Sequence, residues 1–146
     1  MMSPVAAKLA RSGVRAELAA EALSAGLTVE LPAGGVSMLP LLRAGDVLTI
    51  VPTRRESLRT GDVAFVPRGA GWVAHRVIST APLETRGDSC AASDGPIAPG
   101  AVLGRVVAFR RGAVSVYLDG RAGRALSLVS RVLGPLKLKW SLRSGR

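Results

Sequence analysis

The spacing of the hydrophobic residues changes near the start of the chain, and this change separates a predicted helix from a predicted sheet. Apolar residues recur at helical spacing within residues 13–25, at Val14, Leu18, Ala22 and Ala25. Ser12 precedes this segment as a candidate N-cap, and Gly26 follows it as a stop signal. The pattern therefore predicts one amphipathic helix within an N-terminal segment, residues 1–28.

Beyond this helix the apolar residues occur in short runs bounded by Gly, Pro or Asp, which is typical of strands joined by tight turns. The strand candidates lie at residues 27–31, 47–51, 63–66, 72–78, 102–109 and 113–118. No helical pattern separates these runs. The sequence therefore predicts a mainly β protein, with a small antiparallel or barrel-like fold over residues 29–120.

The last segment, residues 121–146, is predicted to be a basic amphipathic extension. Its apolar residues first recur at helical spacing, at Ala122, Ala125, Leu126, Val129 and Leu133. The pair Gly134-Pro135 then breaks the pattern. Apolar and polar or basic residues alternate from Leu136 to Arg143, which favours a strand over a helix.

Most of the net charge of +10 falls in this extension, and no acidic residue follows Asp119. A basic segment can face anionic lipid, nucleic acid or an acidic protein, and charge alone does not choose among them. Because the chain has few aromatic residues and no nucleic-acid motif, we expect no specific nucleic-acid binding. Two alternatives stay open for residues 121–146, namely peripheral contact with an anionic membrane and a solvated edge of the fold.

Length and composition set further limits. A chain of 146 residues can bury one hydrophobic core. Its single cysteine, Cys90, excludes an intramolecular disulfide framework and a Cys-rich metal site, and we expect no metal or cofactor. No apolar run is long enough to span a bilayer, and charged residues interrupt any signal-peptide core near the N-terminus. We therefore expect a cytoplasmic or peripheral membrane location.

The segment GGVSMLP, residues 34–40, holds one serine in a constrained turn just before a predicted strand. A nucleophilic Ser37 would need a general base, and His75 is the only histidine of the chain. Asp88 and Asp94 follow downstream as candidates for the acid that orients the imidazole. From residue types alone, a turn-forming serine and a structural histidine remain the alternatives.

Four segments, taken in order, closely resemble the motifs of signal-peptidase-type serine peptidases. They are VSMLP with LRAGDV within residues 36–47, GDVAF at residues 61–65, HRVI at residues 75–78, and TRGD followed by Asp94 and LGRV within residues 85–106. Each motif is weak alone, but four in the same order are specific. The resemblance covers about residues 34–107 and implies that family's antiparallel β catalytic core.

By this resemblance the chain is a serine endopeptidase that cleaves a leader, signal or precursor peptide. Ser37 would be the nucleophile and His75 the base, as in the archaeal and endoplasmic-reticulum subtype, whereas the common bacterial members have lysine in place of the histidine. Asp94 matches the orienting acid of this subtype better than Asp88 does. Asp88 would then support the site.

The resemblance also implies how a peptide would bind. The oxyanion hole would come from the backbone N–H of Ser37 and its turn, and Gly35, Val36 and Met38 are the residues expected to contact substrate. The peptide would bind extended, as a strand added beside the serine segment, with small side chains near the cut. Met38 has an equally strong interpretation as a core residue.

This chain departs from the family in one respect, because residues 1–28 are too charged to span a membrane. That departure leaves the substrate open. The alternative function is a catalytically silent β module that binds a peptide or an anionic membrane. Binding to nucleic acid ranks last because only the net charge favours it.

Overall fold

The computed structural model describes residues 4–69, 71–98, 100–119 and 123–133. These residues form a seven-stranded antiparallel sheet with a helix at each end of the described chain. In chain order the elements are α1 (Pro4–Ser24), β1 (Val29–Pro32), β2 (Val47–Pro52), a 3-10 turn (Arg55–Ser57), β3 (Val63–Arg68), β4 (Gly71–Thr80), β5 (Leu83–Arg86), β6 (Gly104–Arg111), β7 (Val114–Tyr117) and α2 (residues 123–133). The predicted mainly β fold with an N-terminal helix is confirmed.

Gly26 ends the first helix, as its position in the sequence predicts. Its φ of 84° lies in the left-handed region that favours glycine. The N–H of Gly26 donates to the carbonyl of Leu23 over 3.0 Å, and the N–H of Leu27 donates to that of Ala22 over 2.9 Å. This pair of bonds is a Schellman motif, which satisfies the last helical carbonyls and turns the chain into β1.

Strand β6 joins the two halves of the sheet. The strand order is β1-β2-β6-β3-β4-β5. One edge of β6 pairs with β2 from Gly104 to Arg110, with one bulge. Its other edge is shared, because β3 pairs with residues 104 and 105 and β7 pairs with residues 108–111.

Strand β4 pairs with one neighbour over its first half and with another over its second half, and the two paired stretches overlap only at Arg76. Strand β3 pairs with residues 71–76, whereas β5 pairs with β4 only from Arg76 to Thr80. The first half of β4 therefore has an edge that no described strand covers. Strand β1 is also an edge strand of the sheet. Unpaired strand edges carry backbone N–H and C=O groups that can bind another extended chain.

The hydrophobic core occupies both faces of the sheet. Phe65 belongs to a larger cluster that includes Leu23 of α1, whereas the adjacent Ala64 belongs to a smaller cluster with Val77. Successive residues of a strand point to opposite faces, so β3 separates the two clusters. Met38 is 5% exposed and packs in the larger cluster, which attaches the predicted serine turn to the core.

One expectation was wrong, one strand was not predicted, and one expectation lies outside the described residues. Helix α1 begins at Pro4, so Ser12 lies inside the helix and the expected N-cap was wrong. Strand β5, Leu83–Arg86, was not predicted. The strand expected over residues 136–143 lies outside the described residues.

No helix in the part of the chain that the structure describes is long and apolar enough to cross a membrane.

Candidate active site

Ser37 lies in a loop between β1 and β2 that is closed at its base. The N–H of Ala33 donates to the carbonyl of Asp46 over 2.7 Å, and the N–H of Gly45 donates back to the carbonyl of Ala33 over 3.0 Å. The buried carboxylate of Asp46 accepts two bonds from Arg111, of 2.8 and 2.7 Å. These bonds lower the pKa of Asp46 and outweigh the opposing effect of burial. Asp46 is therefore ionised, and its ion pair with Arg111 holds the base of the loop in place.

The loop after β5 holds the serine turn from the other side. The N–H of Ser89 donates to the carbonyl of Ser37 over 3.0 Å, and the Ser89 hydroxyl donates to the carbonyl of Val36 over 2.6 Å. Gly87 allows this close approach, because a Cβ at that position would lie 2.6 Å from the Ser37 carbonyl oxygen. The glycine of the segment TRGD is therefore required by contact with the serine.

The three residues proposed for catalysis lie in one hydrogen-bonded row. His75 lies in β4 opposite Ala64 of β3 and is 6% exposed. Its Nε2 lies 3.0 Å from Oγ of Ser37, and its Nδ1 lies 2.6 Å from Oδ2 of Asp94. The structure thus brings together a hydroxyl, an imidazole and a carboxylate separated by 38 and 19 residues in sequence.

Asp94 is positioned by β5 and by the loop that follows it. The N–H of Asp94 donates to the carbonyl of Thr85 over 2.8 Å, and the Thr85 hydroxyl donates to Oδ2 of Asp94 over 2.7 Å. Arg68 reaches Oδ1 over 3.2 Å. Burial opposes ionisation of Asp94, but the bonds from His75 and Thr85 and the charge of Arg68 leave its pKa below the ordinary value.

An ionised Asp94 determines which ring nitrogen of the histidine carries the proton. A carboxylate accepts hydrogen bonds and donates none, so Nδ1 of His75 must be the protonated nitrogen in the neutral ring. Nε2 is then an acceptor, directed at the hydroxyl of Ser37. In this arrangement the imidazole can take the hydroxyl proton, and Asp94 can stabilise the resulting imidazolium.

Asp88 does not contact the histidine. Its carboxylate binds the guanidinium of Arg76 through two bonds, of 3.0 Å from Nε and 2.5 Å from Nη2, and accepts a third, of 2.6 Å, from the hydroxyl of Ser130 in α2. Asp88 and Arg76 are 2% and 1% exposed. Because Asp88 directly follows Gly87, this buried ion pair holds the loop that contacts the serine turn. Asp88 is thus linked to the serine turn through Gly87, and its described partners are Arg76 and Ser130.

A cleft of about 340 Å³ opens beside Ser37. One wall is residues 31–35, at the end of β1, and the other is residues 71–74, the uncovered half of β4. Its floor includes Met38 and other apolar side chains. Arg15 and Arg43 also line the cleft. Two strand edges with free pairing capacity thus face a groove that leads to the serine.

The residues expected to contact substrate take different positions. Gly35, whose φ is 75°, and the buried Met38 both line the cleft. The side chain of Val36 is 68% exposed and is not among the lining residues. No described residue accepts the backbone N–H of Ser37, so this donor remains able to bind a ligand.

Sequence reasoning missed several residues that the site uses, namely Thr85, Arg68, Arg76 and Ser89. Thr85 belongs to the strand that was not predicted, so its side chain had no assigned direction. Arg76 was visible in the segment HRVI, and alternation along a strand places it on the face opposite to His75. No signal in the sequence pairs Arg68 or Ser89 with a partner.

Within the described residues, no group of three or more His, Cys, Asp or Glu side chains could hold a metal ion. Comparison of the chain with models of protein families, with curated proteins and with solved structures gives no match. The likeness to signal-peptidase-type serine peptidases accordingly remains an expectation based on the four sequence segments.

Proposed function

We propose that this chain is a serine endopeptidase of the signal-peptidase type. The observation that carries the proposal is the hydrogen-bonded row from Ser37 through His75 to Asp94, with contacts of 3.0 and 2.6 Å. A structural histidine needs no hydroxyl and carboxylate on its two nitrogens. The row opens on a cleft between two strand edges, which is the setting that an extended peptide requires.

In the proposed reaction Oγ of Ser37 attacks a peptide carbonyl carbon while Nε2 of His75 takes the hydroxyl proton. Asp94 holds the imidazolium, and the backbone N–H of Ser37 donates to the developing oxyanion. The C–N bond then breaks as His75 passes the proton to the leaving amine. Water, activated by the same imidazole, hydrolyses the acyl ester and regenerates Ser37.

The residues that line the cleft indicate the chemistry of the proposed substrate. A peptide added along residues 71–74 would meet uncovered backbone groups of β4 and leave its side chains facing an apolar floor. Among the described residues that line the cleft, Arg15 and Arg43 are charged and none is acidic. We therefore expect peptides with small side chains at the cut and an acidic side chain elsewhere in the bound segment to be preferred. The substrate would be a leader, signal or precursor peptide met in the cytoplasm or at a membrane surface.

A peptide library tests this proposal directly. Purified chain is incubated with a digest of unrelated proteins, and mass spectrometry identifies termini that form with time. We expect new termini with wild type and none with Ser37→Ala purified in the same way. If the two preparations give the same termini, the chain is no peptidase, and the alternative of a catalytically silent peptide- or membrane-binding module takes its place.

A further inference from the structure

Helix α2 has an inverted amphipathic pattern. It buries Ser127 and Ser130, which are 9% and 2% exposed, and it exposes large apolar side chains. The exposed set is Leu126 (37%), Leu128 (58%), Val129 (50%), Val132 (57%) and Leu133 (41%). At 3.6 residues per turn these five positions fall on one continuous arc of the helix surface. An outward apolar stripe of this kind requires something to cover it.

The orientation of α2 is determined by a specific buried contact. The hydroxyl of Ser130 donates to Oδ2 of Asp88 over 2.6 Å, and Asp88 also binds Arg76. Rotating the helix to bury its leucines and valines would break this bond and leave a buried carboxylate short of a donor. The apolar stripe is therefore held outward by the same ion pair that supports the active-site loop.

Basic side chains border the stripe. A cleft of about 680 Å³ lies between α2 and the turn before β3, and its lining includes Arg59, Arg105, Arg124 and Arg131. Asp119 pairs with Arg105 over 2.6 Å. No described carboxylate pairs with the guanidinium of the other three arginines. The same lining also includes Asp62, whose carboxylate accepts the backbone N–H of Arg59. The described lining thus has four arginines against two aspartates and is net positive.

We propose that α2 and this arginine-lined cleft form a docking surface for a bilayer that contains anionic phospholipid. The apolar stripe would enter the boundary between headgroups and acyl chains, and the arginines would bind lipid phosphates. Charge complementarity selects a lipid surface over a purely apolar partner, since the border of the stripe is cationic and the sequence has no acidic residue after Asp119. This inference does not depend on catalysis.

Vesicle co-sedimentation of the full chain tests the proposal. Vesicles of phosphatidylcholine alone are compared with vesicles that also contain phosphatidylglycerol, and binding is expected only to the second kind. Leu128→Asp should weaken binding about tenfold or more, because a charge then enters the stripe. Arg124→Gln and Arg131→Gln should each weaken it about fivefold, since one basic residue near an anionic surface contributes about that factor.

Leu18→Asp is the matched control, because Leu18 lies in α1 with 60% exposure against 58% for Leu128. It should bind vesicles as wild type does, and so should Ser37→Ala, which separates this test from the test of catalysis. Circular dichroism and thermal unfolding check that each variant is folded.

Three results would overturn the proposal. Equal binding to both kinds of vesicle would show that the arginines do not recognise anionic lipid. Equal weakening by Leu18→Asp and Leu128→Asp would remove the role of α2. A chain that binds no vesicles, and whose self-association in buffer is abolished by Leu128→Asp, would show that a second copy covers the stripe.

Discussion

Replacing Asp94 by asparagine removes the proposed orienting charge while keeping the shape of the side chain. The amide can place an oxygen at only one of the two carboxylate positions. At Oδ2 two buried donors need an acceptor, since His75 and Thr85 lie 2.6 and 2.7 Å away. At Oδ1 the donor is Arg68, whose side chain is 60% exposed. The choice between these positions decides which tautomer of His75 the variant has.

The energies favour an amide oxygen at Oδ2. An exposed ion pair such as that of Arg68 contributes at most about 1 kcal/mol, whereas a buried unsatisfied donor costs about 1–3 kcal/mol. His75 then keeps its tautomer, and the variant loses only the charge. Two unit charges about 4 Å apart, at an effective dielectric constant of about 20, attract by about 4 kcal/mol. Asp94→Asn should therefore slow acylation of Ser37 about 10³-fold.

The rate of reaction of Ser37 with a fluorophosphonate measures this loss without a known substrate. Intact-mass spectrometry follows the fraction of labelled chain with time. Asp62→Asn is the matched control, because the carboxylate of Asp62 also accepts a hydrogen bond, from the backbone N–H of Arg59, but lies away from the row. It should react at the wild-type rate.

Asp88→Asn tests whether Asp88 orients His75 or only holds the loop that contacts the serine turn. Removing one charge of the buried pair with Arg76 should lower the free energy of unfolding by about 3–5 kcal/mol. The folded fraction, measured by denaturant titration, should still be labelled far faster than Asp94→Asn. Wild-type labelling of Asp94→Asn, or loss of labelling in folded Asp88→Asn alone, would refute the assignment of Asp94.

Two further substitutions test how the serine loop is held. Gly87→Ala should slow labelling about 10- to 100-fold, because its Cβ would lie 2.6 Å from the carbonyl oxygen of Ser37. Gly34→Ala, where a Cβ meets nothing within 4 Å, is its control, and equal rates for both variants would contradict this packing argument. Asp46→Asn should lower the free energy of unfolding at neutral pH by about 1–2 kcal/mol, a value reduced because Arg111 is 40% exposed. The pKa of Asp46 is lowered in the folded state. The Asp46 carboxylate therefore stabilises the fold above the unfolded pKa of about 3.9, and this stabilisation is lost as the pH falls through the folded pKa. The free energies of unfolding of wild type and variant, measured by urea titration, should thus converge in acid. A difference that persists unchanged in acid would show that the charge of Asp46 does not stabilise the fold.

The elements that the sequence predicted correctly are those whose signals are local. Gly26 needs a left-handed φ, and that need is visible in a sequence as a glycine after an apolar helical stripe. Strands β2, β3 and β4 are short β-branched runs between turn residues. Strand β5 has no such signal, because its four residues, Leu83–Arg86, extend only by pairing with the end of β4.

The residues of the candidate site also fall into two groups, those with a signal in the sequence and those without one. Ser37 and Asp94 were named from the resemblance of their segments to the family motifs, and His75 is in addition the only histidine of the chain. Their supports could not, because the bonds of Thr85 to Asp94 and of Ser89 to the serine turn join parts of the chain that meet only in the folded sheet. Likewise, helical spacing predicted α2 but not which of its faces is buried, since that choice depends on the bond from Ser130 to Asp88 in another loop.

Peptide mapping of the fluorophosphonate adduct shows whether Ser37 is the activated nucleophile. We expect one modified residue in the folded wild-type chain, with the phosphorus bonded to Oγ of Ser37. We also expect no adduct in Ser37→Ala and almost none in His75→Ala. A folded wild-type chain without an adduct, or with its adduct on another residue, would contradict the claim that Ser37 is an activated nucleophile.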